Sequence, residues 1–209
     1  MPRQRKPVDA YHHGDLRAAL VRAGAELVAR RGAAALSLRA VARKVGVSHA
    51  APYHHFADKD GLLGAIAASG FEKLDAALAG ALAPLEGRPP LERFHALGPA
   101  YVRFAAAEPH LFQLMFPSRG GRRGSVQELG EVARRPFARV RAEVEACLAT
   151  WKARPVPDAT QVTMLAWASM HGLATLWTQG ALGAAGQGPE RLASELAALV
   201  TRLVEPPTR

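Results

Sequence analysis

Apolar positions recur at helical spacing along almost the whole of the 209-residue chain, and no stretch alternates with the period of a β-strand. Leu16, Leu20, Ala23, Leu27 and Val28 form the first stripe, with Asp15 placed to cap it and Arg30-Arg31-Gly32 to close it. Leu38, Val41, Ala42 and Val45 form a short second stripe behind a Ser37 cap. Gly46 stops that helix, because glycine takes a left-handed C-terminal conformation without steric cost. A third helix is predicted from a Ser48 cap to about Phe56. Leu62, Leu63, Ile66, Phe71, Leu74, Leu78 and Leu82 then mark a long fourth one opened by Ala57-Asp58-Lys59-Asp60.

The remainder also reads as helix. Leu91, Phe94, Leu97, Tyr101, Phe104 and Ala105 give a fifth, stopped near Glu108-Pro109, and His110 to Phe116 a short apolar sixth. A seventh is expected from Ser125 to Trp151, broken or kinked at Arg135-Pro136. Asp158 opens an eighth with Val162, Leu165, Ala166, Ser169, Leu173, Leu176 and Trp177 along one side. Pro189 starts a last one carrying Leu192, Leu196, Leu199, Val200 and Leu203. The expected fold is therefore all-α, with about nine helices. Residues 1–13 form a basic arm, 14–74 a three-helix head, and 75–209 a helical body reached through the long fourth helix.

The stretch from Ser37 to Lys59 carries the most specific signal. Two short helical patterns flank a Gly46 turn, Val47 plugs the corner, and the polar face carries Arg, His, Tyr and Lys rather than acids. This is the pattern of a helix-turn-helix over 37–56, whose second helix enters a DNA major groove. Charge agrees. Residues 1–60 hold 11 of the 27 Lys and Arg but only 5 of the 18 Asp and Glu, plus five of the eight histidines. A basic quarter on a nearly neutral body points to a polyanion at one end of the molecule. Arg3, Arg5 and Lys6 of the arm reach a phosphate backbone or a minor groove, or else form a solvated tail.

Other chemistry is sparse. A single cysteine, Cys147, makes no internal disulfide and fits a reducing cytoplasm. The first 15 residues lack the apolar core of a signal peptide. From Ala159 to Pro189 there is no Asp, Glu, Lys or Arg, yet Thr160, Gln161, Thr163, Ser169, His171 and Thr175 make the segment too polar to span a membrane. The His12-His13 pair lacks the accompanying acids or cysteines of a metal site, so neither metal nor cofactor is expected. No nucleophile sits with a paired base and no glycine loop cradles phosphate, so an enzyme using a helical pocket is a minor reading.

Gly32, Leu36-Ser37-Leu38-Arg39, Val41-Ala42, Val45-Gly46-Val47-Ser48, Tyr53-His54-His55-Phe56, Lys59 and Leu62 together resemble the TetR (tetracycline-repressor-like) family of transcription regulators. Trp167, His171 and Gly172 are similar to the signature of a subgroup with a Trp-His-Gly ligand domain. The resemblance implies a homodimer joined through its last two helices, reading a palindromic operator in double-stranded DNA. It places Ser37, Arg39, Ser48, His49, Tyr53, His54 and Lys59 at DNA-contacting positions. Arg39 and Lys59 are suited to phosphates, His49 to a base edge, and Ala50 or Ala51 to a thymine methyl. Pro52 replaces the usual aliphatic residue and lies at the edge of what a first helical turn tolerates.

The resemblance also puts an inducer pocket between the fifth and eighth predicted helices. Its candidate walls are Tyr101, Phe104, Phe112, Met115, Phe116, Phe137, Met164, Trp167, Met170 and His171; aromatic and Met stripes at this spacing are more often plain core. His171 is either a hydrogen-bonded core histidine or an anion hook. With no acid nearby, the expected inducer is apolar and neutral or weakly anionic. The leading expectation is thus a ligand-released repressor, and its rival is a nucleoid-type protein that binds DNA without sequence preference.

Overall fold

In a computed structural model the described residues are 13–117, 124–151, 156–182 and 188–202. The predicted arm, His12 of the histidine pair, the basic loop at 118–123 and Leu203 lie outside them. Among the described residues the fold is all-α: α1 (His13–Arg31), α2 (Leu38–Val45), α3 (Lys59–Leu82), α4 (Pro90–Ala107), α5 (Pro109–Met115), α6 (Gly124–Ala149), α7 (Ala159–Thr178) and α8 (Pro189–Thr201). Three short 3-10 turns sit at Ala33–Ala35, Ala51–His54 and Ala83–Leu85.

Three of the predicted caps are in place. Ser37, Asp58 and Asp158 each accept a backbone N–H three residues on, from Ala40, Gly61 and Gln161 at 3.2, 2.8 and 2.9 Å. The first helix departs from expectation, since α1 begins at His13, two residues before the proposed Asp15 cap. The break in α6 also falls elsewhere. It is at Gly130, with φ 42° and ψ −124°, while Pro136 sits inside the following helical segment. A positive φ of this kind is cheap only for glycine, so Gly130 rather than proline takes the turn.

The head and the body share α3. Its 24 residues span about 36 Å at 1.5 Å each. It packs on α1 of the head and on α4, α5 and α6 of the body. Leu62, Ile66, Leu74 and Leu78 are wholly buried along it. The boundary expected near residue 74 therefore falls inside one continuous helix. At the head junction Gly24 of α1 admits the Ile66 side chain so closely that an added Cβ would meet it at 2.7 Å. In the body, Asp75 of α3 accepts both Nε and an Nη of Arg139 of α6, at 2.7 and 2.8 Å. That hydrogen-bonded cation holds the Asp75 carboxyl below the usual carboxylate range.

The last two helices correct the expected faces. On α7 the buried residues are Val162, Thr163, Ala166, Met170 and Ala174, while Leu165 and Leu176 are exposed. On α8 the buried residues are Ala193, Ala197, Val200 and Thr201, and Leu199 is exposed. Small residues face inward because α4 presents Gly98 to both helices; a Cβ there would lie 2.9 Å from Met170 Sδ and 3.1 Å from Ala197 Cβ. Leu165, Leu176 and Leu199 are left outside, while Leu173 and Leu196 are half-buried against the core.

Candidate nucleic-acid interface and ligand cleft

The helix-turn-helix corner closes as its sequence requires. Gly46 takes φ 82° and ψ 25°, and the N–H groups of Gly46 and Val47 both donate to the Ala42 carbonyl, at 2.9 and 3.0 Å. Ser48 then accepts the Ala51 N–H at 3.2 Å through its hydroxyl. Beyond that cap the predicted third helix is a 3-10 turn, Ala51–His54. The cause is Pro52. An α-helix capped at Ser48 would make its first rung from the residue-52 N–H to the Ser48 carbonyl, and proline has no N–H. The Ser48 carbonyl instead accepts from Ala51 at 3.1 Å, and the tighter pattern continues from Tyr53 to Ala50. The Pro52 ring is buried in the head where an aliphatic side chain would otherwise pack.

This geometry leaves Ser37, Arg39, Ser48, His49, Ala50, Tyr53 and His54 exposed on the two elements and the turn between them. Tyr53 is 53% exposed, although aromatic side chains usually bury. Phe56 is the buried member of the pair, with the Arg17 guanidinium 5.3 Å over its ring. Lys59 has a second role that the sequence did not signal. Its ammonium donates to the Ala34 carbonyl at 2.9 Å, tying the start of α3 to the turn before α2. Lys44 is occupied by Glu26 at 2.7 Å, and that hydrogen bond lowers the Glu26 carboxyl below its ordinary value.

In the body, side chains from four helices form an aromatic cluster. Tyr101 of α4 meets Trp167 of α7 edge-on at 5.1 Å, and Trp167 meets Phe137 of α6 at 5.6 Å. His171 stacks between Phe116 and Phe112 at centroid distances of 4.6 and 5.3 Å. Its Nδ1 lies 2.8 Å from the Tyr101 hydroxyl. Burial raises the phenol well above its ordinary range and lowers the imidazole below 6.5, so each is neutral at pH 7. Tyr101 O–H then donates to Nδ1, which leaves the His171 proton on Nε2. His171 is thus hydrogen-bonded within the cluster and half-buried.

This pair has a consequence for stability. Unfolded His171 titrates near its ordinary value of 6.5 and the folded residue lower, so the unfolded chain binds the extra proton first. The stabilisation is fully present above pH 6.5 and is lost as pH falls through the lower folded pKa. Between pH 7.5 and 5.5 the melting temperature of the wild-type protein should fall more than that of His171→Gln. Parallel curves would remove His171 as the source.

The ten predicted pocket residues do not line one cavity. Tyr101, Trp167 and Met170 border a void of about 30 Å³ among α3, α4, α6, α7 and α8, room for about one water molecule. Met115, Phe116, Phe137 and Trp167 border a much larger cleft of about 580 Å³, open to solvent among α3, α5, α6 and α7. Phe104 is plain core, and Phe112 and His171 pack behind Phe116 without lining either space. Met164 is 60% exposed on the outer face of α7, far from the role expected of it. The cleft adds residues that the sequence reading missed: Phe71, Leu129, Ala133, Arg134, Ala138 and Arg141. Spacing alone hinted at Arg134, Phe137, Ala138 and Arg141, which share a face of α6.

Comparison with known proteins now bears on this geometry. A family model for bacterial regulatory proteins of the tetR family matches residues 20–66, and a tetracyclin repressor-like C-terminal domain matches residues 94–200. The chain belongs to the TetR family. A protein with unknown function from Rhodococcus sp. RHA1 is 35% identical over 93% of this chain and 97% of its own, with a TM-score of 0.79. The TetR family transcriptional regulator PfmR from Thermus thermophilus is 21% identical over 91% and 99%, at TM-score 0.65. FadR from Bacillus subtilis, solved in complex with stearoyl-CoA, is 12% identical over 88% and 97%, at TM-score 0.70. The last two share the fold. No curated protein matches.

Membership of the TetR family makes the chain a DNA-binding, ligand-responsive transcription regulator with a helix-turn-helix head, and not an enzyme. Among the described residues, no helix is long and apolar enough to cross a membrane, and no group of three His, Cys, Asp or Glu is placed to hold a metal.

Proposed function

We propose that this TetR-family protein is a cytoplasmic repressor that binds a palindromic operator as a homodimer and is released by a small apolar molecule. Residues 14–74 serve as the reading head and 75–209 as the ligand and dimer body. Trp167, His171 and Gly172 support reading the body as one of the Trp-His-Gly subgroup. The observation that carries the dimer is the outer surface of α7 and α8, where Met164, Leu165, Leu176 and Leu199 are 60, 51, 46 and 57% exposed. Four large apolar side chains on two adjacent helices are a self-complementary patch for a two-fold partner. Two heads related by that axis read half-sites about 34–36 Å apart.

Positioning on DNA is well provided and direct base reading is thin. Arg39 and Lys59 neutralise phosphates, and Ser37, Ser48, Tyr53 and His54 have hydroxyl or ring donors for backbone oxygens. His49 is the one long side chain at the start of the short recognition turn, with Ala50 beside it for a thymine methyl. Much of the specificity then comes from DNA shape and from the spacing of the two heads. Release follows from α5. Met115 lines the cleft and presses on Gly70 of α3, where an added Cβ would meet its sulfur at 2.6 Å, and α5 also packs on α1 of the head. A ligand that displaces Met115 thus favours a different head spacing, a population shift rather than a new state.

Genomic footprint selection with the purified protein should recover one palindrome, with affinity falling steeply as salt rises. Lys59→Ala should flatten the slope of log affinity against log salt by about one unit and leave sequence preference unchanged. An unchanged slope with weaker binding would confine Lys59 to its Ala34 contact. Recovery of no preferred site would favour the nucleoid-type reading over the repressor.

A further inference from the structure

The open cleft has a chemical asymmetry that narrows the ligand. Its floor is apolar: Phe71 of α3, Met115 of α5, Phe116, Phe137 and Trp167. Its rim along α6 carries two guanidinium groups, Arg134 and Arg141, with Ala138 between them on the same face. Both arginines are exposed. Arg141 shares its charge with Glu145 at 2.7 Å, an exposed pair that competes weakly with any ligand anion. Arg134 makes no ion pair with another described residue. No acidic side chain lines the cleft among the described residues. An aromatic trough of about 580 Å³, in the size range of small-molecule sites, is thus joined to a cationic edge on one side.

We infer that this cleft binds an amphipathic anion, with its acyl or aryl body lying on Phe116, Phe137 and Trp167 and its carboxylate or phosphate at Arg134 and Arg141. The assignment rests on the proposed ligand-released repressor and specifies the ligand class of its cavity. A purely neutral apolar molecule fills the trough but leaves the arginine edge unused. A cationic one meets two like charges at the rim. A guanidinium fork pairs with a carboxylate or phosphate through two parallel N–H donors, which fixes the head group while the aromatic floor holds the body. Trp167 lies on the cleft floor and also touches Tyr101, so an occupant there is sensed by the cluster that joins α4, α6 and α7.

The test is binding of monomeric dodecanoate and, separately, dodecanol to the full-length protein without DNA, followed by calorimetry. Because no operator is present, the result is independent of whether the chain represses. Dodecanoate should bind at least tenfold more tightly than dodecanol. Arg134→Ala and Arg141→Ala should each weaken dodecanoate by about tenfold and leave dodecanol unchanged. Ala138→Glu puts a carboxylate between the two arginines on an exposed position, so it retains the fold and should abolish the preference for the acid. Equal binding of acid and alcohol, or an acid affinity indifferent to all three changes, would overturn the anionic assignment. Binding of neither would overturn the cleft as the ligand site. Failure to recover an operator in footprint selection would instead overturn the repressor reading and leave this one standing.

Discussion

Replacing Leu165 and Leu199 together by glutamate should give a monomer that has lost operator affinity by a hundredfold or more. Each leucine is more than half exposed in the single chain, so the substitutions leave the body's own core intact. In a two-fold dimer each side chain appears twice, and burying a leucine contributes about 1.5–3 kcal/mol. A carboxylate in the same place reverses the sign, because an unpaired charge in an apolar interface is strongly disfavoured. Loss of the dimer removes the second half-site contact, and the benefit of binding both half-sites at once goes with it. Sedimentation at micromolar concentration and a gel-shift titration read the two consequences separately. A double variant that still sediments as a dimer would place the interface on another face.

The second large effect concerns Gly98, on the face of α4 that receives α7 and α8. Gly98→Val should cost about 3 kcal/mol, at the upper end of the range for overpacking a core. Its Cβ would arrive 2.9 Å from Met170 Sδ and 3.1 Å from Ala197 Cβ. The methionine is flexible enough to turn away, but the alanine carbon is fixed to the backbone of α8 and moves only if that helix moves. The drop in melting temperature should be roughly 6–12 °C for a chain of this size. Gly80→Ala is the matched control. It sits on an exposed stretch of α3 with nothing within 4 Å of an added Cβ, so it should gain up to about 1 kcal/mol from helix propensity alone. Equal melting temperatures for Gly98→Val and wild type would show that α8 is not seated by this contact. Displacement of α8 would also move Leu199, so the packing variant should weaken dimerisation.

Local chemistry was legible wherever a residue acts on its own neighbours. Ser37, Asp58 and Asp158 cap because a short oxygen-bearing side chain reaches the free N–H groups of the turn it precedes. Gly46 closes the corner because a positive φ is open to it. The stripes on α1, α3 and α4 were readable because their large apolar side chains recur every three to five residues, and those positions are the buried or half-buried ones. Even the anomaly of the recognition element was visible at Pro52, although its outcome as a 3-10 turn needed the Ser48 cap to be seen in place.

The faces of α7 and α8 were not legible, because α7 has no charged residue to mark its outer side and α8 offers both leucine and alanine positions at helical spacing. Periodicity gives a stripe but not its direction when two faces qualify. The partner decides: Gly98 on α4 allows a close approach, so Ala193 and Ala197 go inward and Leu199 is left outside. The cleft was missed for a related reason. A cavity is the space that packing leaves between helices distant in sequence, and neither Phe71 nor Leu129 signals its share of that space in its own segment. The sequence by itself determined the all-α class, the caps, the helix-turn-helix corner and the family, all of which depend on contacts a few residues apart or on residue identity. Tertiary structure alone decided which surface is left for a partner and where a ligand has room, because both are set by how closely non-neighbouring helices approach.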